Sequence, residues 1–122
     1  MKRCSANLAS IASIWELARS GDLRGAVEMA RKALGESGQD QPPSSRVELH
    51  LVAAFCAMRQ GQYSEALREL DAARHAASSP RADGALALRV ETWRAELAYF
   101  QGRYSAANEI IEPFTRAPGA NG

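Results

Sequence analysis

The chain has 122 residues, of which 46% are hydrophobic and 24% are charged, a balance typical of one globular domain rather than a disordered segment. Its formal net charge of +1 provides no bulk field for nucleic acid or for an acidic membrane surface. No apolar run approaches the roughly 20 residues of a membrane-spanning helix. Two cysteines are too few for a disulfide framework, so we expect reduced thiols in a cytoplasmic protein. Arginine outnumbers lysine 13 to 2, which is typical of a GC-rich bacterial genome.

The first helix is predicted between Ser5 and Arg19, where apolar residues recur at the three- and four-residue spacing of one helix face. We expect Ser5 to cap this helix and Gly21 to end it. A second helix follows at once, with Asp22 as its cap. Gly25 inside this helix is unfavourable by up to about 1 kcal/mol relative to alanine, or marks a close helix contact. A signal peptide is the alternative for the N-terminal segment, although polar residues interrupt its apolar stretch.

The second pair of helices follows a loop at 35–43 that is rich in glycine and proline. Ser45 and Glu48 have the spacing of a capping box, in which each side chain bonds the other residue's backbone amide. The sequence therefore predicts a helix that begins at Ser45 and ends at Gly61. Its partner is predicted from about Ser64.

The third pair of helices has its start signal at Ser79-Pro80, because proline suits the first helical turn. Gly84 delays the start by about a turn, and Gly102 ends this helix. The last helix is predicted from about Ser105, and Pro113 should kink or end it. No segment shows the alternation of a half-buried strand, so the sequence predicts six helices in three hairpins.

One short pattern occurs three times, with its glycines about 40 residues apart. A glycine is followed two residues later by leucine or tyrosine, and three residues after that by alanine. The matches are Gly21/Leu23/Ala26, Gly61/Tyr63/Ala66 and Gly102/Tyr104/Ala107. The pattern resembles the turn and second helix of a tetratricopeptide repeat, where the alanine lets two helices approach closely. The resemblance covers residues 6–116.

This resemblance implies an all-α fold, a right-handed α-α superhelix of three helical hairpins. The repeats are expected at about 6–35, 45–78 and 80–116, with a tail at 117–122, all in a single domain. The repeats are longer than the usual 34 residues, and the first helices lack the family's Trp-x-x-Leu-Gly pattern. Long, alanine-rich units of this kind resemble those of bacterial signalling proteins of the maltose-regulator type.

The resemblance also implies a function in protein–protein interaction. The first helix of each hairpin, here called the leading helix, lines a concave groove that holds a peptide or helix of a partner protein. The groove residues implied are Leu8, Ile11, Trp15, Arg19, Leu51, Phe55, Met58, Arg59, Arg89, Thr92, Glu96 and Tyr99. Packing between helices is the alternative for Trp15, Phe55 and Trp93, because aromatic stripes at helical spacing are more often core.

The sequence bears on two other binding functions. A regulatory or sensor segment of a larger bacterial signalling or transcription-regulatory protein is the alternative function. The lysine/asparagine clamp with which some family members hold chaperone C-termini is not expected, because Ile11, Trp15, Leu51 and Phe55 occupy the matching positions.

Catalytic and cofactor chemistry has little support, and no enzyme activity, cofactor or metal is expected. His50 and Cys56 are six residues apart on one helix and face different sides, so they cannot form a nucleophile–base pair within it. No cluster has zinc-ligand spacing, and no glycine-rich phosphate loop is present. Asp71 and His75 fit a solvated pair on a helix surface. The scattered arginines do not form one basic face, so no nucleic-acid binding is expected.

The last helix carries Ile110, Ile111 and Phe114 with no further helix predicted to cover them. Because a helical array needs a polar final surface for solubility, we expect a cover for this end. A homodimer through the C-terminal repeat, or a missing neighbour, would supply it.

Overall fold

A computed structural model describes residues 6–37 and 41–115 of the chain. Within these ranges every regular element is a helix, which confirms the all-α prediction and its three hairpins. The predicted cap Ser5 and the tail at 117–122 lie outside the described residues. The helices are α1 (Ala6–Arg19), α2 (Leu23–Ser37), α3 (Pro43–Arg59), α4 (Tyr63–Ala77), α5 (Gly84–Phe100) and α6 (Tyr104–Thr115).

The turn within each hairpin is built on a glycine in the left-handed region, with φ of 107° at Gly21, 76° at Gly61 and 79° at Gly102. At Gly61 the amide N–H donates to the Met58 carbonyl at 3.0 Å, and the next N–H donates to the Ala57 carbonyl at 2.8 Å. The same two bonds recur at the other turns. They satisfy carbonyls that a helix end leaves unpaired. The prediction that these glycines end the leading helices is confirmed.

The start of α2 explains the glycine inside that helix. The Asp22 carboxylate accepts a hydrogen bond from the Gly25 N–H at 3.0 Å, so the predicted cap is confirmed. A Cβ atom at Gly25 would lie 2.6 Å from an Asp22 carboxylate oxygen. The absent side chain at Gly25 therefore leaves room for the cap.

The predicted capping box at the start of α3 is wrong. The helix begins two residues earlier, at Pro43, after an extended Pro42 that provides no side-chain cap. Proline suits this position because its ring fixes φ and the helix start needs no N–H there. Ser45 is consequently buried inside the helix, and Glu48 bonds to other helices instead.

Three more helix boundaries can be compared with the sequence signals. α5 begins at Gly84, about one turn after Pro80 as predicted, and the Asp83 side chain accepts a hydrogen bond from the Ala85 N–H at 3.0 Å. α6 does not end at Pro113 but continues to Thr115. α4 begins after Gln62, so Ser64 lies within the helix rather than opening it.

The hydrophobic core is centred on α3, which packs against α1, α2, α4 and α5. With neighbours on several sides, α3 is buried around most of its circumference, including Val47, Leu49, Leu51 and Val52. The alanine of each repeated motif is buried, as the close approach of paired helices requires: Ala26, Ala66 and Ala107. This arrangement places the leading helices α1, α3 and α5 side by side.

Candidate protein-binding groove

Three aromatic side chains meet across the leading helices, one each from α1, α3 and α5. Trp15 lies 5.7 Å from Phe55 and 5.8 Å from Trp93, measured between ring centroids, and the last two rings are 5.8 Å apart. We call these three residues the aromatic cluster. Trp15 is largely buried, whereas Phe55 and Trp93 are half-buried. Rings at these separations interact favourably, and together they form a continuous apolar contact across the three leading helices.

Two exposed arginines cover the edge of the aromatic cluster. The Arg19 guanidinium lies 5.3 Å from the centroid of the Trp15 ring, and that of Arg59 lies 5.7 Å from the Phe55 centroid. Both distances are within the range of a cation–π interaction. Each arginine stands two residues before a hairpin glycine, in the last turn of its leading helix. The repeat therefore places the same cation beside the same ring position in two adjacent units.

Glu48 joins all three leading helices. Its Oε1 accepts a hydrogen bond from Trp15 Nε1 at 3.1 Å and another from Arg89 Nη2 at 3.0 Å, while Arg89 Nε donates to Oε2. The hydrogen bond with Glu48, reinforced by its negative charge, raises the pKa of Arg89 above the ordinary value. Glu48 thus fixes the orientation of an aromatic ring and of a neighbouring cation.

Five of the remaining predicted groove residues fall into a buried group and an exposed group. Ile11, Leu51 and Met58 are buried, because α3 is enclosed by its neighbours and the apolar stripe of each leading helix continues into the core. Thr92 and Glu96 are exposed on α5, and the Thr92 hydroxyl donates to the Leu88 carbonyl at 2.8 Å. The backbone of Leu8 lies in α1, and its side chain is outside the described part of the chain.

Tyr99 belongs to a different contact. Its ring packs edge-on against Tyr104 at 4.8 Å between centroids, and both rings are exposed at the α5–α6 turn. The structure therefore brings Trp15, Phe55, Arg19 and Arg59 together, whereas Tyr99 packs at the third turn.

Two residues of this surface were absent from the predicted set, Trp93 and Glu48. A signal for Glu48 is present in the sequence: Glu48 and Arg89 each stand thirteen residues before a hairpin glycine. Opposite charges at equivalent positions of adjacent repeats predict an ion pair between neighbouring leading helices.

A second polar cluster lies between α2, α3 and α4. The Glu69 carboxylate is 2.9 Å from His50 Nδ1 and 3.4 Å from Arg31 Nη2. Glu69 is buried, so these partners satisfy a carboxylate that would otherwise be unfavourable inside the protein. This cluster ties the first two hairpins together.

Reactive groups are few in the described ranges. Burial, with a smaller contribution from the Asp22 charge, raises the pKa of the Cys56 thiol to about 11, so the thiol stays protonated at neutral pH and is a poor nucleophile. Between residues 6–37 and 41–115, no three His, Cys, Asp or Glu side chains are placed to hold a metal ion. None of the helices in those ranges has the length and apolar character needed to cross a membrane.

Comparisons with known proteins support the architecture. A family profile described as tetratricopeptide repeat matches residues 17–89, more than half of the chain. The match runs from α1 into α5 and includes Phe55 and both of the ring-stacked arginines. Searches of curated proteins and of solved structures each found no match.

Proposed function

Because the chain belongs to the tetratricopeptide repeat family, whose repeats generally mediate protein–protein interactions, we propose that it binds a partner protein in the groove formed by α1, α3 and α5. The occupant is an apolar peptide segment or the apolar face of a helix. The observation that carries this proposal is the aromatic cluster, in which rings from all three hairpins meet and those of Phe55 and Trp93 are partly exposed. No contact within residues 6–37 and 41–115 favours a sensor segment of a larger signalling protein instead.

The composition of this surface suits binding. Tryptophan and arginine are among the side chains that contribute most to interface energies, and large aromatic rings are enriched there. The rings are also held in place before a partner arrives, because they pack on one another and Trp15 is bonded to Glu48. Binding then orders few side chains, which reduces its entropic cost.

The test is an unbiased selection of displayed peptides against the folded domain, followed by measured dissociation constants for synthetic peptides. Phe55→Ala should weaken binding by about tenfold or more, because it removes the partly exposed ring that α3 contributes to the aromatic cluster. Met29→Ala is the matched control, since Met29 is an exposed apolar residue of α2. Circular dichroism confirms that both variants are folded. Equal affinities for wild type, Phe55→Ala and Met29→Ala would contradict groove binding.

We also propose that α6 contacts a second copy of the chain. Leu70 and Ala73 of α4 are fully buried, in a helix that packs against α5. Their counterparts in the next repeat are Ile111, which is half-buried, and Phe114, which is 38% exposed. Within the described chain no further helix packs on α6. A second copy in this place would remove the exposed apolar surface from water.

Sedimentation over a range of concentrations tests the proposed dimer. Wild type should sediment as a dimer, and Phe114→Asp should sediment as a monomer because it places a charge at the contact. Met29→Asp, a charge on an exposed apolar site of α2, should leave the dimer intact. A wild type that remains monomeric at high concentration would rule out this contact.

A further inference from the structure

The two arginines at the edge of the aromatic cluster point to the chemistry of the partner. We infer that the bound segment carries aspartate or glutamate side chains next to an apolar residue, and that Arg19 and Arg59 bind these carboxylates. This inference rests on the proposed function, since it concerns the occupant of the same groove. It differs from the lysine/asparagine clamp for chaperone C-termini, because the cations here lie over aromatic rings and the ligand is a side chain within a segment.

The first supporting observation is that these arginines have no acidic partner among the described residues. Within the described part of the chain, none of the ion pairs involves Arg19 or Arg59, and both side chains are exposed. By contrast, Arg31, Arg68, Arg74, Arg89 and Arg94 each form an ion pair with a glutamate. The two groove arginines therefore keep their capacity for a carboxylate ligand.

The second observation is how these two side chains are held. A guanidinium that lies over a ring still has its N–H groups at the edge of its plane, where they can donate two parallel hydrogen bonds to one carboxylate. The ring contact limits the conformations of the arginine before binding, so less entropy is lost when the carboxylate arrives. Arg19 and Arg59 are thus restrained donors.

The third observation is that the rings beneath the arginines are neighbours. The centroids of Trp15 and Phe55 are 5.7 Å apart, so both cations border one apolar surface. A segment that places an apolar side chain on these rings brings its flanking residues to the arginines. Acidic flanking residues complement this pattern of charge.

Glu96 limits the acidic preference to the first two hairpins. It stands six residues before its hairpin glycine, the position that Trp15 and Phe55 occupy in the other repeats. It is exposed, and in residues 6–37 and 41–115 no ion pair involves it. A carboxylate at this end of the groove disfavours acidic residues of the partner and fixes the direction in which the segment lies.

The experiment uses peptides from the display selection, synthesised with both termini blocked so that only side chains carry charge. Arg19→Glu combined with Arg59→Glu should weaken binding by about tenfold or more, because attraction becomes repulsion. Arg24→Glu combined with Arg81→Glu is the control, since both arginines are exposed outside the aromatic cluster and the charge change is the same. Its effect should stay below about twofold. Peptides with lysine in place of their acidic residues should recover affinity for the double variant.

The outcomes separate this inference from the proposed function. If no selected peptide depends on Phe55, groove binding itself fails. If peptides depend on Phe55 but are neutral or basic, or if the double reversal leaves their affinity unchanged, only the acidic preference fails. Binding that requires a free C-terminal carboxylate would also overturn it. So would an oligonucleotide that competes for the groove with comparable affinity, because the ligand would then be a phosphate.

Discussion

The indole N–H of Trp15 donates a hydrogen bond to the Glu48 carboxylate at 3.1 Å, although 33 positions separate the two residues in the chain. The same carboxylate accepts a hydrogen bond from Arg89, which lies 41 positions further on. One side chain of α3 therefore fixes the positions of α1 and α5 relative to it. The shape of the proposed groove depends on these contacts as well as on packing.

Removal of the Glu48 carboxylate should lower the stability of the whole array. Glu48→Ala leaves the Trp15 donor and Arg89 without their acceptor and should reduce the free energy of unfolding by about 1–3 kcal/mol. Glu48→Gln keeps an acceptor and should have a smaller effect, since Arg89 is 44% exposed and water screens its ion pair. Urea unfolding followed by tryptophan fluorescence measures both. The control is Glu28→Ala, at an exposed site of α2. If Glu48→Ala and Glu28→Ala lower the free energy of unfolding equally, Glu48 does not have the proposed role.

Two glycine-to-alanine substitutions, one at a hairpin turn and one within a helix, should change the stability of the protein in opposite directions. Gly61→Ala should destabilise the protein by about 1–2 kcal/mol, because φ is 76° and an L-residue is strained there. No atom lies within 4 Å of the added Cβ, so the loss comes from the backbone alone. Gly35→Ala, within α2 and equally open, should stabilise the protein by up to about 1 kcal/mol. Thermal unfolding measures the melting temperature of both variants. Melting temperatures that shift in the same direction would contradict the prediction.

The fold could be predicted from the sequence because its main determinants are local. A glycine at each turn, an alanine where two helices touch and an apolar stripe between them recur at the spacing of a hairpin. The helix starts were less predictable, because several signals competed within a few residues. The local signal at Ser45 and Glu48 was outweighed by Pro43 and by the distant partners of Glu48.

Only part of the candidate groove could be predicted from the sequence. Helical spacing identifies which residues share a face, but it does not show how far neighbouring helices cover that face. Leu51 and Met58 follow the same stripe as Phe55, yet they are buried while Phe55 is partly exposed. The contacts of Trp93 and Glu48 depend on how far α5 and α1 approach α3, which is a property of the assembled array.

Burial of Cys56 predicts a loss of stability at alkaline pH. The pKa of the thiol is about 11 in the folded protein against an ordinary value of 9.0, so above pH 9 the unfolded chain releases a proton that the folded chain retains. The free energy of unfolding should therefore fall as pH rises from 9 to 11, by on the order of 2 kcal/mol.

Comparison with Cys56→Ala isolates this effect, because tyrosine and lysine titrate in the same range in both proteins. The measurement is urea unfolding at several pH values, with Cys4→Ser in both proteins so that they differ only in the Cys56 thiol. A difference in stability between the two that stays constant from pH 8 to 11 would contradict the prediction.

Removal of the Glu69 carboxylate, which lies outside the proposed groove, should destabilise the protein. Glu69→Ala removes the buried carboxylate that His50 and Arg31 contact, and it should lower the free energy of unfolding by about 1–3 kcal/mol. Glu65→Ala, one turn earlier and more exposed, should change it by less than about 1 kcal/mol. Urea unfolding measures the loss of stability in both variants. A larger loss for Glu65→Ala than for Glu69→Ala would contradict the role proposed for Glu69.

The most direct test of groove binding uses the two tryptophans, because the chain has no others and both belong to the aromatic cluster. The indole N–H resonances of Trp15 and Trp93 therefore report on the proposed groove alone. A selected peptide, added in steps to isotope-labelled protein, should shift both resonances with the dissociation constant measured by calorimetry. Indole resonances that stay in place while backbone amides elsewhere shift to saturation would contradict the groove as the binding site.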